Sequence, residues 1–152
     1  MADTSLRLYK KEKLCSTVAI DQLFGRGGAY SGDTRSALAY PFRAVWRNNP
    51  RRRSDAPAQF LISIPKRRLR QAVDRVLMRR RAREAYRLLR HEYPITAGAR
   101  LDIAFIYVAS ETIGYFAVEK SMRRLLSKIS KSSTALTCHE PAQVDNADEN
   151  AV

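Results

Sequence analysis

Side chains able to do acid–base or covalent chemistry are scarce in this sequence. There are two histidines, His91 and His139, and two cysteines, Cys15 and Cys138. His91 closes a basic stretch that reads as a helix, where a histidine serves more readily as a dipole-compensating cation than as a general base. The cysteines lie far apart and form no C-x-x-C pair. That argues against a zinc knuckle or a disulfide framework and fits a reducing cytoplasm. Acidic residues are scattered through the body, and none pair at a spacing suited to a metal clamp. Gly25-Arg26-Gly27-Gly28 lacks the Lys-Ser/Thr of a phosphate-binding P-loop and follows a helical pattern rather than a strand, so it reads as a plain loop. The sequence therefore offers no catalytic residue and no metal ligand set.

The abundant chemistry is that of guanidinium. The stretch MRRRAREAYRLLR, residues 78–90, holds six arginines in thirteen residues. At 100° per residue from Arg75, the side chains of Arg79, Arg90, Arg83, Arg87 and Arg80 fall between about 40° and 140°. Leu77, Met78, Ala82, Ala85, Leu88 and Leu89 fall between about 200° and 340°, so one face is apolar and the other basic. Arg81, near about 240°, stands among the apolar residues, where its stem can lie along the surface while its head reaches out. From Lys66 to Arg90 there are eleven Lys or Arg against Asp74 and Glu84. A merely solvated face usually mixes both signs. A single-sign face built of Arg suits phosphate, which the planar fork grips through two hydrogen bonds.

The whole chain agrees with that bias. Its 152 residues carry a net charge of +13, a length that normally makes one domain. Residues 132–152 contain no Lys or Arg but do contain Glu140, Asp145, Asp148 and Glu149, which leaves 28 basic and 11 acidic side chains in residues 1–131. The division expected is a basic RNA-binding domain over 1–131 and an acidic, disordered tail over 132–152. Such a field attracts polyanions, nucleic acid first and an anionic membrane second. The apolar arc of the basic helix is rich in Ala and better suited to a sheet than to lipid. The opening segment has no apolar h-region, and the longest apolar run, 103–109, is too short to span a bilayer, so the expected location is cytoplasmic.

The elements that would position these side chains follow from periodicity. Ser16 or Thr17 caps a short helix ending at Phe24, and the glycine-rich run 25–33 is a loop. Residues 37–47 alternate as one strand, with Pro41 suggesting a sheet edge. A long basic loop leads to a second strand over 59–65, and the two read as a hairpin. A basic connector then leads into the arginine helix, about 72–93, stopped by Pro94. The run 101–109 reads as a strand buried on both faces. After Gly114 comes a last helix to about residue 130, with Phe116, Val118, Met122, Leu125, Leu126 and Ile129 inward and Lys120, Arg123, Arg124, Lys128 and Lys131 mostly outward. The order α-β-β-α-β-α makes a small α+β sandwich, one mostly antiparallel sheet covered by helices. The aromatic row Tyr40, Phe42, Trp46, with Phe24 nearby, has two readings: sheet core, or a platform on which a single strand of RNA stacks.

On these residues the chain resembles the protein subunit of bacterial ribonuclease P. That family's long helix carries a stretch of the form R-N-R-x-K-R-x-x-R-E after a strand and a basic connector. Here residues 75–84 read R-V-L-M-R-R-R-A-R-E, so that Arg75, Arg79 (for Lys), Arg80, Arg83 and Glu84 match. ISIPKRRLRQAVD resembles the strand and connector, and RLYKKEKLCSTVAIDQLFGRG the family's opening segment and first helix. The resemblance spans roughly residues 6–130. The motif's Asn and second Arg are Val76 and Leu77 here, and Ile20 stands where many members have an aromatic one turn before Phe24.

The resemblance implies that the RNA subunit cleaves the 5′ leader from precursor tRNA with Mg²⁺ held mainly by that RNA, the protein alone binding no cofactor. It implies a fold with a left-handed β-α-β crossover, against the usual hand. It implies that ribonuclease P RNA is bound by Lys66, Arg67, Arg68, Arg70, Arg75, Arg79, Arg80, Arg83 and Arg87. The leader would lie in a cleft at Phe24, Tyr40, Phe42 and Trp46. The protein would be one monomer in a 1:1 ribonucleoprotein, with precursor tRNA as substrate and no membrane. A ribosomal-type RNA-binding protein with no processing role has the same composition, and only the connector-helix spacing separates the two.

Overall fold

The alternation over 37–47 belongs to two strands, not one. In the computed structural model, which describes residues 6–24, 34–49, 56–95 and 100–137, β1 (Arg35–Ala39) and β2 (Phe42–Asn48) are antiparallel neighbours joined by a turn at Tyr40 and Pro41. Pro41 sits in that turn, with a cis peptide before it, so its missing donor marks a reversal of the chain and not a sheet edge. Ala39 pairs with Phe42, so the turn flips the side-chain parity. Leu38 pairs with Arg43 and shares its face, while Phe42, Ala44 and Trp46 point to the other.

The second correction is topological. The strand order is β1-β2-β4-β3, with β4 (Leu101–Tyr107) between β2 and β3 (Ala58–Ser63). The expected hairpin between the second and third of these strands is therefore absent. Each pairs with β4 instead, β2 antiparallel and β3 parallel. A two-sided position explains why β4 is apolar nearly throughout and buried at every residue but Ile106. The element order is α-β-β-β-α-β-α, an α+β fold on one mixed sheet.

One sheet face is sealed by α2 (Ala72–Leu89) and α3 (Tyr115–Thr137). Phe42, Trp46, Phe60, Ile103, Phe105 and Tyr107 meet Met78, Tyr86, Leu89, Met122, Leu125 and Ile129 in one cluster. Phe60 stacks on Tyr86 at 4.0 Å between ring centroids, and Phe42 meets Tyr107 edge-on at 5.3 Å. The other face carries a smaller cluster, in which Leu14, Ala19 and Leu23 of and before α1 (Thr17–Phe24) cover Val45 and Ala104. Ser16 opens α1 by accepting a hydrogen bond at Oγ from the Ala19 amide.

Helix α2 keeps to its sequence period: Met78, Ala82, Ala85, Tyr86 and Leu89 are buried and Asp74 stands in the first turn, where it suits the dipole. It ends at Leu89, earlier than expected from Pro94. In α3, Phe116 is 84% exposed, against the inward position expected for it. It lies about 200° around the helix from Val118, so both cannot face the sheet. The helix also runs past residue 131, where the domain was expected to end. Ser133 is fully buried, and Ser132 Oγ accepts hydrogen bonds from Arg35 (2.7 Å) and from the Trp46 indole (3.4 Å). The loop expected at 25–33, the basic loop at 50–55 and the tail from residue 138 lie outside the described residues. Among the described residues no helix is long and apolar enough to cross a membrane.

Candidate RNA-binding interface

The arginines of α2 fall into two groups. Arg75, Arg81, Arg87 and Arg90 are occupied by the protein itself. Arg75 Nη1 donates to the carbonyl oxygens of Leu69 (2.9 Å) and Arg70 (2.8 Å), which folds the connector back onto the helix it precedes. Arg81, out of place on the sequence wheel, reaches across to the Ile113 carbonyl at 2.5 Å and so ties α2 to the approach of α3. Arg87 holds Glu84 through two contacts of 2.9 and 2.5 Å, which draw that carboxyl below the usual carboxylate range. Arg90 pairs with Glu12 and donates to the Arg7 carbonyl at 2.6 Å, fastening the N-terminal segment to the end of α2.

Arg79, Arg80 and Arg83 form the other group. They have no ion pair or hydrogen-bond partner among the described residues, and Arg80 and Arg83 are exposed. Guanidinium forks held on a rigid helix and left without protein acceptors are poised to donate to an external anion. The connector adds Lys66, Arg67 and Arg70, all exposed, and the half-buried Arg68. A turn in which the Arg68 and Leu69 amides donate to the Pro65 carbonyl shapes this loop. Arg67, Arg68 and Arg70 line a shallow groove of about 540 Å³ that also takes in Asp74, Ser110 and Glu111. The nine residues expected to contact RNA thus lie on the connector and α2, two of them, Arg75 and Arg87, bound within the protein. Arg87 lies with them, but its charge is already matched by Glu84. Val76 and Leu77, the motif departures, are 43% and 37% exposed and add an apolar patch beside these arginines.

The aromatic row divides. Phe42 is 0% and Trp46 4% exposed, both in the sealed core, so neither can stack on a leader. That corrects their assignment to the cleft. Tyr40, at the tip of the β1–β2 turn, is 63% exposed, and Phe24, at the end of α1, is 44% exposed. Leu38, 62% exposed, and Arg43, also exposed, were missed by the sequence reading. They lie as a cross-strand pair on the face that α1 covers only in part. Arg43 alternates with Phe42 and Ala44, and that alternation was a sufficient signal for its opposite orientation. On the same face Arg47 Nη1 donates to Gln22 Oε1 of α1 at 3.0 Å, holding helix and sheet together. Among the described residues no three His, Cys, Asp or Glu gather as a metal site.

Comparison with known proteins shows what family the chain belongs to. Residues 8–130 match the sequence profile of the Ribonuclease P family. The chain belongs to that family. Ribonuclease P protein components from two strains of Porphyromonas gingivalis are each 34% identical over 125 residues, which is 80% of this chain and 85% of theirs. The fold is shared with the ribonuclease P protein of Staphylococcus aureus, with a TM-score of 0.59 and 21% identity over 79% of this chain and 95% of that one. The ribonuclease P protein from Thermotoga maritima gives a TM-score of 0.58 and 20% identity, covering 78% and 97%. Membership makes this chain a protein component of ribonuclease P, an RNA-binding part of a ribonucleoprotein endoribonuclease that matures the 5′ end of tRNA. The ribosomal-type alternative, which has the same composition, falls away.

Proposed function

We propose that this chain is the clamp of its holoenzyme and takes no part in the bond-breaking step. The outer side of α2 and the 66–70 connector bind the ribonuclease P RNA. The half-open sheet face, with Arg43, Leu38, Tyr40 and Phe24 at or near it, receives the single-stranded 5′ leader of precursor tRNA. Hydrolysis belongs to the RNA subunit with Mg²⁺ held mainly by that RNA, in a 1:1 particle in the cytoplasm. The observation that carries this reading is the set Arg79, Arg80 and Arg83, which have no partner among the described residues, on a helix whose other arginines are all occupied. The sequence offers no general acid–base pair and no converging carboxylates to contradict it.

The test is reconstitution. The protein, rigorously freed of RNA, should not cleave precursor tRNA. Added to its own organism's ribonuclease P RNA at low Mg²⁺, it should raise cleavage sharply. Replacing Arg79 and Arg83 together by Ala should weaken binding to that RNA and reduce the slope of log K against log salt by about one to two, roughly one counterion per lost phosphate contact. Leader cleavage by the RNA-free protein, or an unchanged slope in the double variant, would overturn the assignment.

A further inference from the structure

We propose that the outer edge of α3 is a second binding site for RNA backbone, distinct from the arginine face of α2. It rests on the proposed function only for the nature of the partner. From Lys120, the side chains of Lys131, Arg124 and Lys128 follow at about 20°, 40° and 80° around the helix, while Val118, Met122, Leu125 and Ile129 centre near about 160°. The four basic residues thus form a row, all exposed, with no ion pair or hydrogen bond to any described residue. From residue 120 to 131 that row is about 16 Å long, enough to meet several successive phosphates of one strand.

Local charge balance sets this row apart from a solvated surface. The acidic residue of α3 is Glu119, and it is taken, with Glu92 from beyond α2, by Arg123 at 3.3 and 2.7 Å. Arg123 therefore serves the joint between the two helices and leaves the four outer cations unmatched. A groove beside them brings in Tyr93 and Ser127, a ring and a hydroxyl of the kind that meets sugar and phosphate.

Placement makes the site a separate one. Helix α3 lies over β1 and β2, and α2 lies over β3, toward the opposite edge of the same sheet face. The arginine side of α2 turns toward the N-terminal segment, which borders β3 through a bridge between Lys13 and Phe60. The row on α3 opens to solvent beside Tyr93 and Arg123, while Ser121 and Ser132 are the α3 side chains that reach β1. Between the two basic surfaces the α2–α3 joint carries Glu84, Glu92 and Glu119 paired with Arg87 and Arg123, a largely charge-matched strip that attracts a backbone less than either surface. Two segments of RNA, one at each edge, fit this distribution.

The experiment uses the full chain with Arg124→Ala, Lys128→Ala and Lys131→Ala combined, its fold checked by circular dichroism and thermal melting. Binding to transcribed ribonuclease P RNA is measured over a salt series, with and without precursor tRNA. The slope of log K against log salt should fall by about two to three, with affinity at least about tenfold weaker. A change seen only with precursor tRNA present assigns the second segment to the substrate, and a change without it assigns it to the catalytic RNA. Unchanged affinity and slope in both arms, while Arg79→Ala/Arg83→Ala still lowers them, would overturn the proposal and leave the α2 clamp standing. The reverse pattern would keep the α3 site and remove the α2 clamp. Should the triple variant fail to fold, Arg124→Gln/Lys128→Gln carries the same test, with a slope change of about one to two.

Discussion

The two faces of the sheet are built from the same strands, yet they do opposite work. On the face under α2 and α3, every large side chain of β2 and β4 is fully or almost fully buried, and aromatic rings touch one another. On the face under α1 a five-residue cluster is buried, while Leu38 and Arg43 stay open to solvent. The difference lies in the covering layer. Two helices of 18 and 23 residues can roof a four-stranded sheet, and one of eight cannot. An incomplete roof leaves a surface for a ligand, and it can do so at small cost because the stability of the domain comes from the other face.

That contrast can be broken by substitution. The largest effect should come from Phe42→Ala, which empties a fully buried aromatic site and should cost about 3–5 kcal/mol, read as a lower denaturant midpoint at unchanged m-value. Next comes Arg81→Ala, which cuts the tie from α2 to the Ile113 carbonyl and loosens the roof by about 1–3 kcal/mol. Because Arg81 faces the neighbouring helix, the salt dependence of RNA binding should not move. A change in slope there would show that the sealed side also meets RNA.

Tyr107 sharpens the comparison through pH. Burial pushes its hydroxyl up to about 12 from the ordinary 10.0, and it donates to the Glu111 carbonyl. The unfolded chain releases that proton near pH 10 and the folded chain does not. The stabilisation is therefore complete below pH 10 and is lost as pH rises from about 10 to about 12. Melting curves across that window should fall less steeply in Tyr107→Phe. An equal fall in both proteins would place the loss elsewhere. The smallest stability change should come from the open face: Leu38→Ala or Tyr40→Ala should shift stability by no more than about 0.5 kcal/mol. Tyr40→Ala should nonetheless weaken leader binding by about 1–3 kcal/mol if a base stacks there. A large loss of stability in either variant would mean that the face is closed.

What the sequence could show was what period and composition carry locally. The apolar arc Met78, Ala82, Ala85, Leu89 marked the facing of α2, though not its end, and the unbroken run at Ile103 to Phe105 marked a strand buried on both faces. The reversal at Tyr40 and Pro41 was hidden because each strand alternates, and a two-residue turn shifts the phase without interrupting it. Leu38 therefore read as a neighbour of Phe42 when it points to the other face. The insertion of β4 between β2 and β3 was hidden for a different reason. Pairing between segments some forty residues apart depends on which edge is free when they meet, and no local pattern records that. At the site, the number and sign of the arginines were legible, but their division was not. Arg75 and Arg81 find carbonyl partners, and Arg90 finds Glu12, only once the connector, the loop before α3 and the N-terminus are folded around them.

The fastening of the N-terminal segment has a consequence for how the chain is made. Leu14 donates to the Phe60 carbonyl, Gln59 donates to that of Lys11, and Arg90 closes on Glu12 and Arg7. Residues 7–14 thus find their places only after a wait, because their partners are synthesised dozens of residues later. Until residues 101–107 have been made, β3 lacks its neighbour β4, and that edge can pair with another nascent strand. The lysines at 10, 11 and 13 keep that waiting segment charged, which opposes association between copies of a chain still being translated.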